Sequence, residues 1–494
     1  MKTALDCDPA RIENLKLTKI VGHMKIMFRT VSIGVVLLAL FLVRSYRVTL
    51  SEAAVAERPN FLIIITDDQR YGTLDSFMPR TQARIFNEGV QFTKGYVTTP
   101  LCCPSRASIL TGMYAHRSGV RVNSDILRHR TFADRLHDAG YFTGLVGKYL
   151  NSWDGSARPE FDFWAAFAGG GSRYFNPRLN VNGSWSEHQG YMTYLLRDYA
   201  LRFLNDAARK NQPFALIFAP NAPHAGFDPG AGVPPPGVAP DPAPGDENLY
   251  KDLSPHRPPN YNERDLSDKP KWLQSLPPLT PAQQKLLDSV RLSQLQTLQS
   301  LDQAIGAIVG LLERLGKLNN TVIIYISDNG FFWGEHRLQE KDRVYEPAIR
   351  VPFALRYPKL IPRGRVENRL VANIDIAPTI YELAGLPIPV DVDGNSLVTL
   401  LERRGAWRDE LLIEAWPGKV SYEAVHTGRY VYIETKGDRS ELYDLEKDPY
   451  QLENRFSDRG YAKVVAEMQE RLKRLRSKEM EKVDEKQEEA VPIY

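Results

Sequence analysis

The chain has 494 residues, 43% of them apolar and 25% charged, which suits a globular protein of two or three domains, or one large domain with an appendage. A net charge of +3 is too small to argue for a nucleic-acid partner. The three cysteines, two of them adjacent as Cys102-Cys103, exclude a disulfide framework. Residues 1–56 hold eight basic and four acidic side chains, so the rest of the chain is close to neutral.

Taken in chain order, residues 31–43 form an uncharged apolar run behind Lys25 and Arg29. That run is shorter than the roughly 20 residues a membrane span needs, and it suits the core of an export signal. Ala54-Val55-Ala56 resembles a cleavage site, and an uncleaved signal anchor is the alternative. Either places the folded part outside the cytoplasm (periplasmic, secreted or membrane-anchored), with membrane contact only through residues 1–56.

Four apolar runs rich in β-branched and aromatic residues predict buried strands: NFLIIIT (60–66), YFTGLV (141–146), PFALIFA (213–219) and TVIIYIS (321–327). Helical periodicity occupies 132–139, 194–207 and 282–315 between them, the last entered through Thr280-Pro281 and closed by Gly316. Strands alternating with helices predict an α/β fold with a large, mainly parallel sheet flanked by helices. Residues 226–281 open with a Pro/Gly run and show little periodicity, as expected of a long excursion near the site. Beyond Gly385 shorter strand-like runs (411–415, 430–434, 441–444) predict a small C-terminal α+β domain over 386–476. A charged tail that frays into solvent is expected over 477–494.

The residues after each predicted strand carry the chemistry. They are Asp67-Asp68, Gly147-Lys148, Asn221-Ala222-Pro223-His224 and Asp328-Asn329. In open α/β sheets ligands bind beyond the carboxyl ends of the strands, so carboxylates, a lysine, a histidine and an amide converge on one edge. Asp67, Asp68, Asp328 and Asn329 make a hard oxygen set that suits Ca²⁺ or Mg²⁺, and zinc-type His/Cys spacing is absent from the sequence. Either acidic group alone would read as a helix cap or a turn.

The segment 101–112, Leu-Cys-Cys-Pro-Ser-Arg-Ala-Ser-Ile-Leu-Thr-Gly, contains Cys-x-Pro-x-Arg followed by Leu-Thr-Gly. This resembles the signature of the formylglycine-dependent sulfatases. Residues 59–68, Gly147-Lys148-Tyr149-Leu150-Asn151, Pro223-His224, 327–352, 375–385 and 441–449 also resemble blocks of that family, in its order. Gly-Lys-Tyr-Leu-Asn and Pro258-Pro259-Asn260-Tyr261-Asn262-Glu263 are most similar to the N-acetylglucosamine-6-sulfatase branch.

The resemblance implies an alkaline-phosphatase-like catalytic domain over 57–385 that hydrolyses sulfate esters, expectedly of a sugar. It implies that a formylglycine-generating enzyme converts Cys102 to formylglycine, whose hydrate attacks sulfur. Asp67, Asp68, Asp328, Asn329 and the residue-102 oxygen would hold the metal, with Asn329 favouring Ca²⁺ over Mg²⁺. Arg106 would hold the diol, Lys148 and Lys341 would grip sulfate oxygens, and His224 would protonate the leaving alcohol. Many family members place a histidine just after the Gly-Lys lysine, to act in the step that releases sulfate. Here Leu150 and Asn151 occupy those positions, leaving Asn151, His116 and His336 as stand-ins. Two alternatives accompany this reading: a phosphonate or phosphate monoester hydrolase of the same superfamily, and a non-catalytic binder of sulfated glycans. Loss of Cys102, Arg106 or a metal carboxylate would favour the binder, and all are present.

Overall fold

The computed structural model describes residues 58–227, 237–418 and 420–489, with side chains through 476 in the last helix. The predicted export signal lies outside the described residues. The principal strands are β1 (Asn60–Thr66), β2 (Val90–Phe92), β3 (Phe142–Gly147), β4 (Phe163–Ala166), β5 (Arg178–Val181), β6 (Ser184–Glu187), β7 (Phe214–Ala219), β8 (Thr321–Ser327), β9 (Phe353–Arg356) and β10 (Arg365–Glu367). They form one sheet in the order β10-β2-β9-β8-β1-β7-β3-β4-β5-β6. From β8 to β4 the pairing is parallel, while β9 runs antiparallel to both β8 and β2. The four predicted strands are the central ones, shifted by at most one residue at either end.

Their apolar runs are continuous because both faces are covered. Phe61, Ile63 and Ile65 of β1 point to one side, onto α1 (Cys102–Thr111) and α2 (Phe132–Asp138). Leu62 and Ile64 point to the other, onto α3 (Met192–Ala208) and α4 (Pro281–Arg314). α4 begins where the sequence indicates: Thr280 and Gln283 form a reciprocal capping box, with Pro281 in the first turn.

A separate antiparallel sheet follows, of β11 (Leu411–Ala415), β12 (Tyr422–His426), β13 (Tyr430–Thr435) and β14 (Glu441–Asp444), flanked by α5 (Ala462–Glu489). α5 continues as far as Glu489, into the stretch expected to fray. Buried Met468 and Leu472 anchor its first turns, and the Glu, Lys, Met and Gln residues that follow are strong helix formers. Part of the excursion is a strap across this sheet. Lys269 Nζ donates to the carbonyl of Gln451 at 3.0 Å, the Asn454 N–H to Asp268 at 2.6 Å, and the Lys271 and Trp272 N–H groups to Asp438 at 2.9 and 3.1 Å.

Beneath the strap, the buried Glu441 carboxylate accepts from Tyr345 Oη at 2.8 Å and Tyr443 Oη at 2.5 Å. Burial outweighs the two hydroxyls and Lys269 and pushes its pKa from 4.5 up to about 7. Between those values the folded state holds a proton the unfolded chain has lost, so this group's stabilisation declines as pH rises and levels off above 7. The stability of wild type minus that of Glu441→Gln is expected to fall by up to about 1.4 kcal/mol per pH unit in that window. Denaturant titrations across the window measure it, and a pH-independent difference would contradict the account.

Candidate active site

Cys102 is the first residue of α1, and Arg106 stands one turn further along the same face. The helix is buried along its whole length, so its N-terminus is aimed into the protein, at the carboxyl ends of β1, β3 and β8. Gly147 allows the turn out of β3: its φ is +115°, and a Cβ there would lie 2.0 Å from the carbonyl oxygen of Ala219. Lys148 N–H instead donates to that carbonyl at 2.7 Å, directing the lysine into the cluster. Gly330 likewise lets the loop after β8 close, its N–H donating to Ala348 at 2.8 Å where a Cβ would meet Pro347 O at 2.1 Å.

Three carboxylates and three cations interlock at this edge. Lys148 Nζ donates to Asp67 Oδ2 at 2.6 Å, and Arg106 Nε donates to Asp328 Oδ2 at 2.7 Å. Arg106 also reaches Asp67 Oδ2 at 3.5 Å and the Lys148 carbonyl at 3.1 Å. Lys341 bonds Asp68 Oδ1 and lies 2.9 Å from Cys102 Sγ, which is 3.7 Å from Asp67 Oδ1. Asp68 adopts φ +64°, and its N–H donates to Asp328 Oδ1 at 3.2 Å. His224 Nε2 lies 3.8 Å from Asp68 Oδ2, while its Nδ1 sits 2.8 Å from the carbonyl of Ala225. A carbonyl only accepts, so Nδ1 carries the proton and Nε2 is the atom turned to the cluster. Sequence reasoning and structure therefore agree on Asp67, Asp68, Cys102, Arg106, Lys148, His224, Asp328, Asn329 and Lys341 as neighbours.

Burial alone would raise the Asp67 carboxyl, but Lys148, His224 and Arg106 hold it below its ordinary value. Asp68 is lowered in the same way, against burial, by Lys341 and His224. Burial pushes the Cys102 thiol up to about 12 despite Lys148 and Lys341, so at neutral pH the sulfur is a thiol. Burial also depresses His224, opposed by Asp67 and Asp68. Most of the cluster is sealed from solvent, whereas His224 and Lys341 keep 14% and 12% of their side-chain surface exposed. Those two mark the solvent-facing side of the cluster.

The residues also fit a cation. One ligand atom each from Asp67, Asp68, Cys102 and Asp328 lies within 4.8 Å of the others. Asn329 donates its amide to Asp68 Oδ1 at 2.6 Å, yet its own buried Oδ1 has no hydrogen-bond partner. A buried amide oxygen beside Asp68 is a hard donor that would suit a hard cation.

The stand-ins for the missing histidine fare differently. His336 is fully buried, with Nδ1 at 2.5 Å from Glu263 Oε2 and Nε2 at 3.2 Å from Asn260 Nδ2. Both of its ring nitrogens are engaged by residues of the excursion. His116 Nδ1 meets Glu414 Oε1 at 2.7 Å, a contact that braces the segment Ala115–Ser118 against β11. Asn151 packs against Gly170, whose Cβ would lie 2.5 Å from its Nδ2, and keeps Oδ1 buried without a hydrogen bond. Sequence reasoning missed Tyr174, whose hydroxyl reaches the backbone of His224 from a loop 50 residues away with no local signal.

The sequence profile described as Sulfatase matches residues 59–386, and one described as N-sulphoglucosamine sulphohydrolase, C-terminal, matches 334–478. The second straddles the expected boundary at 386, and from Arg58 onward the chain packs as one compact unit. The extracellular sulfatase SULF-1 homolog of Drosophila melanogaster is 34% identical over 405 residues, 77% of this chain, but the chain spans only 35% of that relative's length. The N-acetylglucosamine-6-O-sulfatase of Bacteroides thetaiotaomicron is 30% identical over 488 residues, with 84% of this chain and 86% of the relative covered. A protein solved with its substrate D-glucosamine-2-N,6-O-disulfate superposes with a TM-score of 0.74 at 26% identity, covering 85% of this chain and 98% of the other.

Proposed function

Because this chain belongs to the sulfatase family, we propose that it hydrolyses sulfate esters of a sugar of the 6-O-sulfated glucosamine class. The observation that carries the proposal is the charge balance of the cluster. Arg106, Lys148 and Lys341 offset Asp67, Asp68 and Asp328 one for one, so a divalent cation held by Asn329 and the carboxylates would leave a net positive site for a sulfate monoester. The names of the relatives support the sugar class: one is an N-acetylglucosamine-6-O-sulfatase, another was solved with a glucosamine disulfate.

Asp67, Asp68, Asp328 and Asn329 would hold the cation, with Ca²⁺ favoured by the asparagine, and Cys102 would be matured to formylglycine by a generating enzyme. When present, the cation supplies Lewis-acid polarisation and the hydrated aldehyde supplies an oxygen nucleophile toward sulfur. The chain's own residues do the rest. Arg106, fixed by Asp328 and the Lys148 carbonyl, supports residue 102 and offsets charge beside it. Lys341, partly exposed, meets sulfate oxygens on entry, and Lys148 faces them from the buried side. His224 Nε2, with Nδ1–H fixed on Ala225, delivers a proton to the leaving alcohol, which a sugar oxygen requires. The extracellular relative supports export, with residues 1–56 as signal peptide or signal anchor.

A desulfation panel tests this reading. N-acetylglucosamine 6-sulfate is expected to be turned over at least about 10²-fold more efficiently than a phosphonate monoester. The reverse preference would favour the phosphonate hydrolase alternative, and binding without turnover of any ester would favour the glycan binder.

A further inference from the structure

His224 sits on the short loop from Asn221 to Ala225, between β7 and the excursion, where no strand ladder holds its orientation. Fully buried Tyr174 lies beneath this loop, and its hydroxyl donates to the backbone carbonyl of His224 at 2.9 Å. The tyrosine is fixed at its other end. Its carbonyl accepts from Met192 N–H at 2.7 Å, and its ring stacks on Tyr191 with centroids 5.6 Å apart. Gly226 makes room for the ring, since a Cβ there would lie 2.8 Å from Tyr174 Cδ2.

The His224 carbonyl belongs to the peptide unit that leads into Ala225. Ala225 in turn offers the carbonyl that fixes His224 Nδ1 at 2.8 Å. Asn221 Nδ2 donates to both carbonyls at 3.5 Å, so holding the first helps to hold the second, and with it the direction in which Nε2 points. We infer that Tyr174 is a positioning residue for proton delivery by His224, an inference that rests on the acid role proposed above. Its hydroxyl hydrogen-bonds the loop, and it is through the loop that it acts on His224.

Proton delivery matters in proportion to how poor the leaving group is. N-acetylglucosamine 6-sulfate expels an alkoxide that must be protonated, whereas 4-nitrophenyl sulfate expels a stable phenolate that need not be. For Tyr174→Phe, which keeps the ring and removes one hydrogen bond, kcat/KM on the sugar sulfate is expected to fall about 10- to 100-fold. The aryl sulfate is expected to lose no more than about 2-fold. Gly226→Ala, which crowds the same ring, is expected to give the same selectivity and serves if Tyr174→Phe does not fold. Tyr191→Phe is the control: it too removes a tyrosine hydroxyl from a backbone carbonyl, that of Asp241 at 2.9 Å, and any loss should be equal on both substrates.

Equal losses on both substrates for Tyr174→Phe or Gly226→Ala, or no loss at all, would overturn the inference. His224→Ala separates it from the reading beneath it. If that variant shows the leaving-group dependence and Tyr174→Phe does not, only the positioning role falls. If His224→Ala shows none, the acid role falls with it.

Discussion

Replacement of Cys102 by alanine is expected to lower turnover of any sulfate ester by at least about 10⁴-fold, whereas Cys103→Ala stays within about 3-fold of wild type. The contrast follows from where α1 directs the two side chains. Cys102 Sγ lies 2.9 Å from Lys341 Nζ and 3.7 Å from Asp67, inside the ring of charge. Cys103 Sγ sits 3.9 Å from the Asp125 carbonyl and 3.8 Å from Ser152 Oγ, packed in the core on the other side of the helix. Alanine at 102 leaves no atom able to attack sulfur, and the helix keeps its other contacts. Initial rates with saturating ester check both variants, and comparable losses would mean that the pair acts by packing.

The second large effect concerns the cation. Exhaustive chelation is expected to abolish turnover, and Ca²⁺ to restore it better than Mg²⁺, since carboxylates and an amide oxygen favour the larger, more flexibly coordinated ion. Asp328→Asn should cost about 10²- to 10³-fold in kcat/KM. Asp328 has two tasks, because Oδ2 accepts from Arg106 at 2.7 Å while Oδ1 accepts from the Asp68 N–H at 3.2 Å. The asparagine keeps the size of the side chain but loses its charge, so Arg106 would stand against one buried carboxylate fewer. Bound calcium per chain, measured by elemental analysis, should fall in Asp328→Asn and in Asn329→Ala. Unchanged calcium in both, or full activity after chelation, would contradict the ligand set.

Much of this site was legible because its residues end apolar runs. Asp67-Asp68, Lys148, His224 and Asp328 each follow a strand whose boundaries hydrophobicity alone defines, and parallel strands bring those ends together. β5 and β6 escaped notice because RLNV is short and half-exposed, while SWSE is a polar, fully exposed strand at the sheet edge. β12 was missed for a similar reason: YEAVH is short, and it is buried by its neighbours β11 and β13. The choice among His116, Asn151 and His336 could not be made in sequence. It depends on Glu414 and Glu263, partners that lie 298 and 73 residues away along the chain. Tyr174 is the same case in a loop, one tyrosine among 23, distinguished only by where its hydroxyl ends.

The central claim is that residue 102 is a nucleophile made from cysteine. Mass spectrometry of the tryptic peptide spanning residues 95–106 of active enzyme tests it most directly. Conversion of the thiol to an aldehyde predicts a mass about 18 Da below that of the encoded sequence. Its occupancy should track specific activity from one preparation to another. An unmodified thiol at Cys102 in fully active enzyme would contradict the account.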